Sequence, residues 1–298
     1  MNKIFYIEAP AKVNLNLFVK EKLNNGLHLL ESDICFVELT DTLFFKFSNK
    51  DVFSQDIKDK NLIIDPNDNL ILSALNEFRN LTGWNKHFSI YLKKKIPIGA
   101  GLGGGSADAA ATLIFLRKLF NNETKINKIS KNVLFEIGKS LGSDIPACIE
   151  SKDLKLNGYG DKILRNKTPN GFYFLIINPN IQLSTKDIFI NFDNMQNNKT
   201  KESNVFWNNI NIQNSLLRSA IKLAPEISDI INSLKNSKKI VAYGMTGSGS
   251  SCFGIFKNLI DIKGSLKYFN EKYFIWFGKK KNYSLNRVSN SKVLEIKF

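Results

Sequence analysis

A run of glycines between two apolar segments is the stretch of this sequence with the clearest chemistry. Five glycines fall within the seven positions 99–105, and Ser106 follows directly. Such backbone freedom normally destabilises a fold, so it indicates a chain that must approach a ligand closely. The alanine-rich segment after it has a helical pattern, and the first amides of a helix attract anions. The stretch predicts a polyphosphate cradle in which Ser106 caps the helix, touches a phosphate or ligates a metal ion.

Three interpretations of this glycine loop compete. No Gly-Lys-Ser/Thr follows the glycines, which excludes a Walker A loop. Gly99, Gly101 and Gly104 satisfy the Gly-x-Gly-x-x-Gly pattern of dinucleotide-binding folds, but the preceding strand is amphipathic and ends in lysines 93–95. A turn without a ligand would not need so many glycines followed by a serine. The phosphate loop of a kinase without a Walker motif is the favoured interpretation.

Two charged side chains elsewhere are candidates for proton-transfer chemistry. Lys12 and Asn14 share the polar face of a strand with alternating apolar positions, and Asp144 follows a Gly-Ser pair before a new apolar run. A lysine at a strand start is most often solvated, and an aspartate after Gly-Ser is most often a turn former. Each gains a chemical role only if it faces a cleft, and the sequence alone leaves both alternatives open.

The composition limits the kind of chemistry and the compartment. The 298 residues, 43% of them hydrophobic, are enough for two domains or one large one. With only two histidines, chemistry must rely on carboxylates, lysines, hydroxyls and the backbone. The three cysteines, an odd number far apart, are typical of buried thiols in a reducing compartment. Without a long apolar stretch or a signal-peptide pattern, we expect a cytoplasmic protein and no membrane partner.

The net charge of +15 raises the question of nucleic-acid binding. The lysines are scattered among asparagines and isoleucines along the whole chain, and the two sharper clusters, residues 93–95 and 279–281, are short. This mixture is typical of compositional drift, and a positive field would also attract an anionic nucleotide. We therefore expect no nucleic-acid partner.

Helix and strand patterns divide the chain into two parts. In the first, we predict strands at 4–8, 13–19, 34–39, 42–47 and 88–92, turns at 24–26 and 65–68, and helices at 69–81, 109–119 and 130–141, with Gly142 as a left-handed cap. The pattern restarts around 158–161. There we place the boundary between an N-terminal ATP-binding domain, 1–158, and a C-terminal substrate-side domain, 159–298.

The second part alternates strands and helices around a second glycine loop. We predict strands at 172–177, 240–243, 252–256 and 273–277, a helix that includes residue 187, further helices at 216–223, 225–234 and 259–269, and a polar loop over 191–204. This order is that of a split-βαβ, ferredoxin-like domain. The tail from Ser289 has no predicted partner.

Three motifs together carry a family resemblance. They are Pro10-Ala-Lys-Val-Asn-Leu, Pro97-Ile-Gly-Ala-Gly-Leu-Gly-Gly-Gly-Ser-Ala-Asp and Met245-Thr-Gly-Ser-Gly-Ser-Ser-Cys-Phe. With them the chain resembles the GHMP kinases, which include galactokinase, homoserine kinase, mevalonate kinase and phosphomevalonate kinase. The resemblance implies a two-domain α+β fold, with an N-terminal ribosomal-protein-S5-like domain, a C-terminal ferredoxin-like domain and an active site in the cleft between them.

Further features favour one branch of this superfamily. They are Asn25-Gly-Leu-His-Leu-Leu-Glu-Ser, the triple glycine before Ser106, Gly142-Ser-Asp-Ile-Pro, the Pro10 motif and the chain length. The chain is similar to kinases that use ATP and Mg²⁺ to phosphorylate the 2-hydroxyl of a cytidine-diphosphate-linked methylerythritol on the non-mevalonate route to isoprenoids. The alternatives are a mevalonate- or homoserine-like kinase and, less favoured, a dinucleotide-dependent oxidoreductase or a basic RNA-binding module. We expect a monomer or a weak homodimer.

The resemblance also implies roles for individual residues. Asp144 matches the catalytic aspartate, a general base, and Lys12 its electrostatic partner. ATP would be bound by Pro97, Ile98, Gly99, Ala100, Gly101, Leu102, Gly103, Gly104, Gly105, Ser106 and Ala107, with Ser106 a candidate Mg²⁺ ligand. The substrate would be bound by Asn14, Leu27, His28, Thr185, Phe189, Gly247, Ser248 and Gly249. His28 would hydrogen-bond the cytosine and Phe189 stack on it, while Leu27 replaces a tyrosine that commonly forms the second stacking face.

Overall fold

The computed structural model describes residues 3–24, 26–56, 69–124, 128–158, 162–195 and 205–291. The predicted turn at 65–68 lies outside these residues. The predicted turn at 24–26, the restart of the pattern at 158–161 and the polar stretch at 191–204 lie only partly within them.

Strands and helices contribute about equally to the described chain. The strands are β1 (Ile4–Asn14), β2 (Phe18–Lys22), β3 (His28–Ser48), β4 (Val52–Asp56), β5 (His87–Lys93), β6 (Leu154–Gly158), β7 (Lys162–Arg165), β8 (Tyr173–Asn178), β9 (Val205–Trp207), β10 (Ile210–Ile212), β11 (Ile240–Met245), β12 (Cys252–Phe256), β13 (Phe274–Lys279) and β14 (Ser289–Ser291). The helices are α1 (Leu70–Thr82), α2 (Gly104–Glu123), α3 (Lys131–Leu141), α4 (Ile145–Glu150), α5 (Thr185–Met195), α6 (Leu217–Leu223), α7 (Glu226–Lys235) and α8 (Leu259–Ser265). No helix of the described residues is both long enough and apolar enough to cross a membrane.

The first sheet is built around one long strand. β3 runs without a break between β1 and β5, so the two strands predicted at 34–39 and 42–47 are one. Asp41, at the predicted interruption, is fully buried, and its carboxylate accepts hydrogen bonds from the backbone amides of Lys95 and Ile96. Because the buried carboxylate is satisfied in this way, the polar residues at positions 40–42 do not end the strand.

The strand predicted at 13–19 is wrong as a single element. β1 ends at Asn14 and β2 begins at Phe18. Between them the amide of Leu17 donates to the carbonyl of Gln213, 2.9 Å away, and its side chain enters the core of the second sheet. The alternating apolar pattern is real, but its residues are buried in different cores.

Helices α1 to α4 cover one face of the first sheet. The predicted helix at 69–81 is confirmed, since Asn69 caps α1 by accepting from the amide of Ile71 and Gly83 ends it in a left-handed conformation. α2 is buried on most sides, as the alanine-rich sequence allows. The predicted left-handed cap at Gly142 is wrong, because its backbone is extended with φ 171°. The chain there runs straight into the turn that opens α4.

The second sheet has the predicted ferredoxin-like order. Its four antiparallel strands lie in the order β11-β12-β8-β13, so the first strand in sequence is flanked by the third and the fourth. Helix α8 is followed by a 3₁₀ turn, Leu266–Tyr268, and together they cover all but the last residue of the helix predicted at 259–269. α5 continues to Met195, so the loop predicted from 191 is helical over its first five residues.

A shared apolar core joins the two sheets. Residues of the first part, such as Val13, Val37 and Leu102, pack with Phe174 and Phe253 of the second. Because this core draws on both halves, they meet through packed side chains and not through a linker alone.

The end of the described chain returns to the first sheet. β14 pairs with β1, so the expectation that the tail from Ser289 has no partner is wrong for 289–291. The side chains of Tyr283 and Val288 enter the first core, and β7 also pairs within the first sheet. The division of the chain after residue 158 remains a proposal. β7 and β14 follow that position in sequence but pair within the sheet of the first part.

Candidate active site

A cleft with a volume of about 450 Å³ lies between the two halves of the molecule. The first half supplies the end of β1, the loop after β5, the first residues of α2 and the turn before α4, and the second half supplies α5 and the loop after β11. The predicted site residues that line it are Lys12, Asn14, Pro97, Ile98, Gly99, Ala100, Gly101, Gly103, Gly104, Gly105, Ser106, Asp144, Thr185, Phe189, Gly247 and Ser248.

Five predicted site residues do not line this cleft. Leu102 and Ala107 are buried in the two cores that flank it. A Cβ on Gly249 would lie 3.0 Å from the Sδ of Met245, so this glycine packs inside the second loop. His28 begins β3 and stacks on Phe189, and Leu27 precedes it.

The two charged residues singled out from the sequence meet in the cleft. The ammonium of Lys12 lies 3.1 Å from the Oδ2 of Asp144, and it donates to the Oδ1 of Asn14 at 2.5 Å. The pairing of β1 with β3 shifts register between Pro10 and Lys12, with the extra residues on β3, so the regular ladder is interrupted just before Lys12. The lysine side chain is 5% exposed and the aspartate 36%, so a buried cation backs an accessible carboxylate.

The glycine loop places backbone amides at the cleft. Gly103, with φ 65°, precedes α2, which begins at Gly104, five residues before the start predicted at 109. Ser106 is therefore the third residue of the helix and not its cap. The amides of this first turn have no partner within the helix, and the helix dipole favours negative charge there.

The two glycine loops touch backbone to backbone. A Cβ on Gly101 would lie 2.4 Å from the carbonyl oxygen of Thr246, and one on Gly247 would lie 2.7 Å from the carbonyl oxygen of Gly101. The amide of Ser251 donates to the carbonyl of Ala100, which ties the loops together. Only residues without a side chain allow this approach. The glycines therefore permit the two loops to pack against each other, in addition to lining the cleft.

Sequence reasoning missed a buried ionic cluster, two of whose members, Lys94 and Asp108, line the cleft. Lys94, the middle residue of the first basic cluster, lies 2.5 Å from Asp41 and 2.7 Å from Asp108. Burial alone would lower the pKa of Lys94, but the two carboxylates raise it above its ordinary value, while burial raises the pKa of Asp108. A signal was present, since Phe88, Ile90 and Leu92 alternate inward and position 94 continues their period.

The second basic cluster has the same organisation. Its middle residue, Lys280, is buried with its ammonium 2.5 Å from Asp153, and it also donates to the hydroxyl and carbonyl of Thr168. Each sharp cluster of lysines thus has its central charge neutralised inside the protein. Neither provides the contiguous basic surface that a nucleic-acid partner needs.

The histidine assigned to base recognition is held from two sides. The Nε2 of His28 lies 2.7 Å from the Oδ1 of Asp193, and its ring stacks on Phe189 with centroids 4.8 Å apart. Because a carboxylate only accepts, Nε2 carries a proton. Burial would raise the pKa of Asp193, but hydrogen bonds from Lys22 and His28 lower it below its ordinary value. Sequence reasoning missed Asp193, which lies in the segment interpreted as a loop.

One hydroxyl in the cleft is suited to a metal ion. Ser106 lines the cleft, and its side chain makes no hydrogen bond to any described residue. No group of three histidine, cysteine or carboxylate side chains that could hold a metal is found among the described residues. A single hydroxyl fits Mg²⁺ that arrives with nucleotide phosphates, since this ion keeps several waters and few protein ligands.

Comparison with known proteins identifies the fold and the family. Residues 69–152 match the family described as GHMP kinases N terminal domain, and residues 198–273 match GHMP kinases C terminal. The chain is 33% identical over 281 residues to a 4-diphosphocytidyl-2-C-methyl-D-erythritol kinase of Thermodesulfovibrio yellowstonii, with 88% of this chain and 93% of that protein covered. A protein of the same name from Prochlorococcus marinus is 32% identical over 91% of this chain and 93% of its own length.

A solved structure agrees on the architecture. The crystal structure of a 4-(cytidine 5'-diphospho)-2C-methyl-D-erythritol kinase superposes with a TM-score of 0.72 over 93% of this chain and all of that one, at 23% identity. This match confirms the two-domain α+β fold expected from the sequence. With its cleft, its two glycine loops and these relatives, the chain is an ATP-dependent small-molecule kinase that belongs to the 4-diphosphocytidyl-2-C-methyl-D-erythritol kinase family of the GHMP kinases.

Proposed function

We propose that this kinase transfers the γ-phosphoryl group of ATP to the 2-hydroxyl of 4-diphosphocytidyl-2-C-methyl-D-erythritol, giving the 2-phosphate and ADP. The reaction is a step in the non-mevalonate synthesis of isoprenoid precursors. The observation that carries the proposal is the Lys12–Asp144 pair, 3.1 Å apart, in a cleft lined by the glycine loop. The relatives named above supply the identity of the acceptor.

Asp144 and Lys12 divide the work at the acceptor hydroxyl. Asp144, the more exposed of the two, accepts the proton as the hydroxyl oxygen attacks the γ-phosphorus and the bond to the β-phosphate oxygen breaks. The buried ammonium of Lys12, beside the Asp144 carboxylate, stabilises the negative charge that develops on the attacking oxygen. Asn14 holds the lysine in place and lines the same wall of the cleft.

The glycine loop and the start of α2 bind the nucleotide phosphates. The unpaired amides of the first helical turn, Gly104 to Ser106, face the cleft and attract the β- and γ-phosphates. Mg²⁺, held by the phosphates and by the hydroxyl of Ser106, would neutralise part of their charge. The substrate lies across the cleft toward α5 and the second glycine loop, where the hydroxyls of Thr185 and Ser248 lie 3.0 Å apart.

The cytidine end is recognised at the start of β3. Phe189 lines the cleft, so its ring offers a stacking face for the base, and the imidazole of His28 packs against that ring with centroids 4.8 Å apart. Nδ1 of His28 is the nitrogen available to the base, because Nε2 is bonded to Asp193. Leu27, 54% exposed, offers apolar contact at the edge of this region.

A coupled ADP-release assay tests the acceptor. The purified kinase is supplied with ATP, Mg²⁺ and, in separate reactions, cytidine-diphospho-methylerythritol, mevalonate or homoserine. We expect ADP release at a high kcat/KM only with the cytidine compound. Equal or faster turnover of mevalonate or homoserine would reassign the kinase to another small alcohol, with Lys12 and Asp144 keeping their roles.

A further inference from the structure

A chain of buried hydrogen bonds leads away from the lysine of the cleft. Lys12 donates to the Oδ1 of Asn14, whose Nδ2 donates to the Oγ of Ser32 at 2.7 Å. The hydroxyl of Ser32 in turn donates to the backbone carbonyl of Asn16 at 2.5 Å. Lys12, Asn14 and Ser32 lie in the wall of the cleft, but all four residues are at most 4% exposed, so water has little access to these contacts.

The direction of each bond in this chain is determined by its neighbours. The ammonium of Lys12 has no acceptor, so it requires the oxygen of the Asn14 amide and turns the amide nitrogen toward Ser32. Ser32 must then accept from that nitrogen and send its own proton to the carbonyl of Asn16. If the Ser32 hydroxyl is removed, the buried amide nitrogen of Asn14 is left without its acceptor, and the amide can turn and draw its oxygen away from the ammonium.

The far end of the chain is anchored by β3 and the segment after β7. The side chain of Asn16 accepts from the amide of Asp33 at 2.6 Å and donates to its carboxylate at 2.8 Å. The other oxygen of that carboxylate accepts from Asn166. The acceptor for Ser32 therefore belongs to a fixed loop and not to a mobile one.

We propose that Ser32 is a positioning residue that keeps the ammonium of Lys12 against Asp144 by fixing the orientation of the Asn14 amide. This inference rests on the proposed roles of Lys12 and Asp144. The ammonium of a lysine is carried on a flexible four-carbon stem, so two fixed acceptors are needed to hold its charge at one point. Asp144 supplies one of them and Asn14 the other.

The test is a double-mutant cycle between Ser32 and Asn14, with kcat and both KM values measured for each variant. We expect Ser32→Ala to lower kcat by roughly tenfold, because a misplaced charge no longer meets the developing alkoxide, and to leave KM for ATP within about twofold. In the Asn14→Ala background the same substitution should have no further effect on kcat. Ser32→Thr, which keeps the hydroxyl, should restore most of the rate.

Several outcomes would overturn the inference. An unchanged kcat in Ser32→Ala would do so, as would a full additional loss in the Asn14→Ala background, since Ser32 would then act without Asn14. A rise in substrate KM alone would identify a direct substrate contact instead. If Ser32→Ala does not fold, Ser32→Cys, close in size but a weak hydrogen-bonding group, gives the same comparison.

Two further variants separate this inference from the proposed function. Ser265→Ala removes a buried hydroxyl that also donates to a backbone carbonyl, in α8 far from the cleft, and should leave kcat unchanged. Lys12→Met tests the lysine itself. A large loss in Lys12→Met with none in Ser32→Ala overturns only the role of Ser32, whereas full activity in Lys12→Met overturns the proposed mechanism.

Discussion

The contact between the two glycine loops makes Gly101 unusually sensitive to a single methyl group. Its backbone has φ +72°, and an added Cβ would lie 2.4 Å from the carbonyl oxygen of Thr246 and 2.7 Å from that of Gly249. Both neighbours are backbone atoms, which cannot rotate away as a side chain can. Gly101→Ala should therefore push the second loop, and the strands that carry it, away from the first.

The expected size follows from two separate costs. A left-handed backbone costs an L-residue roughly 1–2 kcal/mol, and forcing extra atoms into a packed contact adds about 1–3 kcal/mol. Gly171→Ala is the matched control, because that glycine has φ +82° but open space within 4 Å of the added Cβ. We expect a loss in the free energy of unfolding of about 2–5 kcal/mol for Gly101→Ala and about 1–2 kcal/mol for Gly171→Ala.

Urea unfolding at neutral pH measures both variants, and steady-state kinetics adds a functional readout. Gly101→Ala should also raise KM for ATP, since the first loop lines the cleft, whereas Gly171→Ala should leave KM unchanged. Equal losses of stability in the two variants, with equal KM values, would refute the steric reasoning and leave only backbone strain.

Three further substitutions test other parts of the site and the fold. A Cβ on Gly103 would lie 2.9 Å from the Cγ of Lys12, so Gly103→Ala should lower kcat by about tenfold or more; an unchanged kcat in a folded variant would contradict the packing. In Asp193→Asn the new amide can donate as well as accept, so it no longer fixes the proton of His28 on Nε2. KM for the cytidine substrate should rise several-fold while KM for ATP is unchanged, and ¹⁵N NMR of the His28 imidazole should show a changed tautomer. Burial would raise the pKa of Asp51, but hydrogen bonds, chiefly from Arg79, lower it to about 2. The ionised Asp51 carboxylate therefore stabilises the fold above about pH 4, and this stabilisation is lost as the pH falls toward 2. Asp51→Asn should lower the free energy of unfolding by about 1–2 kcal/mol at pH 7 and by almost nothing near pH 2. Denaturant titrations at the two pH values measure this difference.

Features that depend on neighbouring residues were predictable from the sequence. The glycine loop, the capped helix at 69–81 and the ferredoxin-like strand order each leave a local pattern of glycines, caps or periodic apolar residues. The Lys12–Asp144 pair was suggested by motif resemblance alone, because the two residues are distant in sequence and no periodicity links them.

Features that depend on distant partners were not predictable. Lys94 looked like part of a surface cluster, and only the positions of Asp41 and Asp108 show that it is buried. Asp193 belongs to a polar stretch whose first residues become helical in the folded protein, and there its carboxylate reaches His28. Gly142 follows a helix as a cap would, but the chain extends there to bring the next turn to the cleft.

The rate of phosphoryl transfer in Asp144→Asn, with ATP and cytidine-diphospho-methylerythritol in excess, tests the central claim most directly. The change removes the proton acceptor and keeps the size of the side chain, so binding of ATP measured by calorimetry should stay within about twofold of the wild type. We predict that ADP release falls by roughly 10²–10⁴-fold, the usual contribution of a positioned general base. A folded variant that binds ATP and releases ADP at nearly the wild-type rate would contradict the assignment of Asp144 as the base.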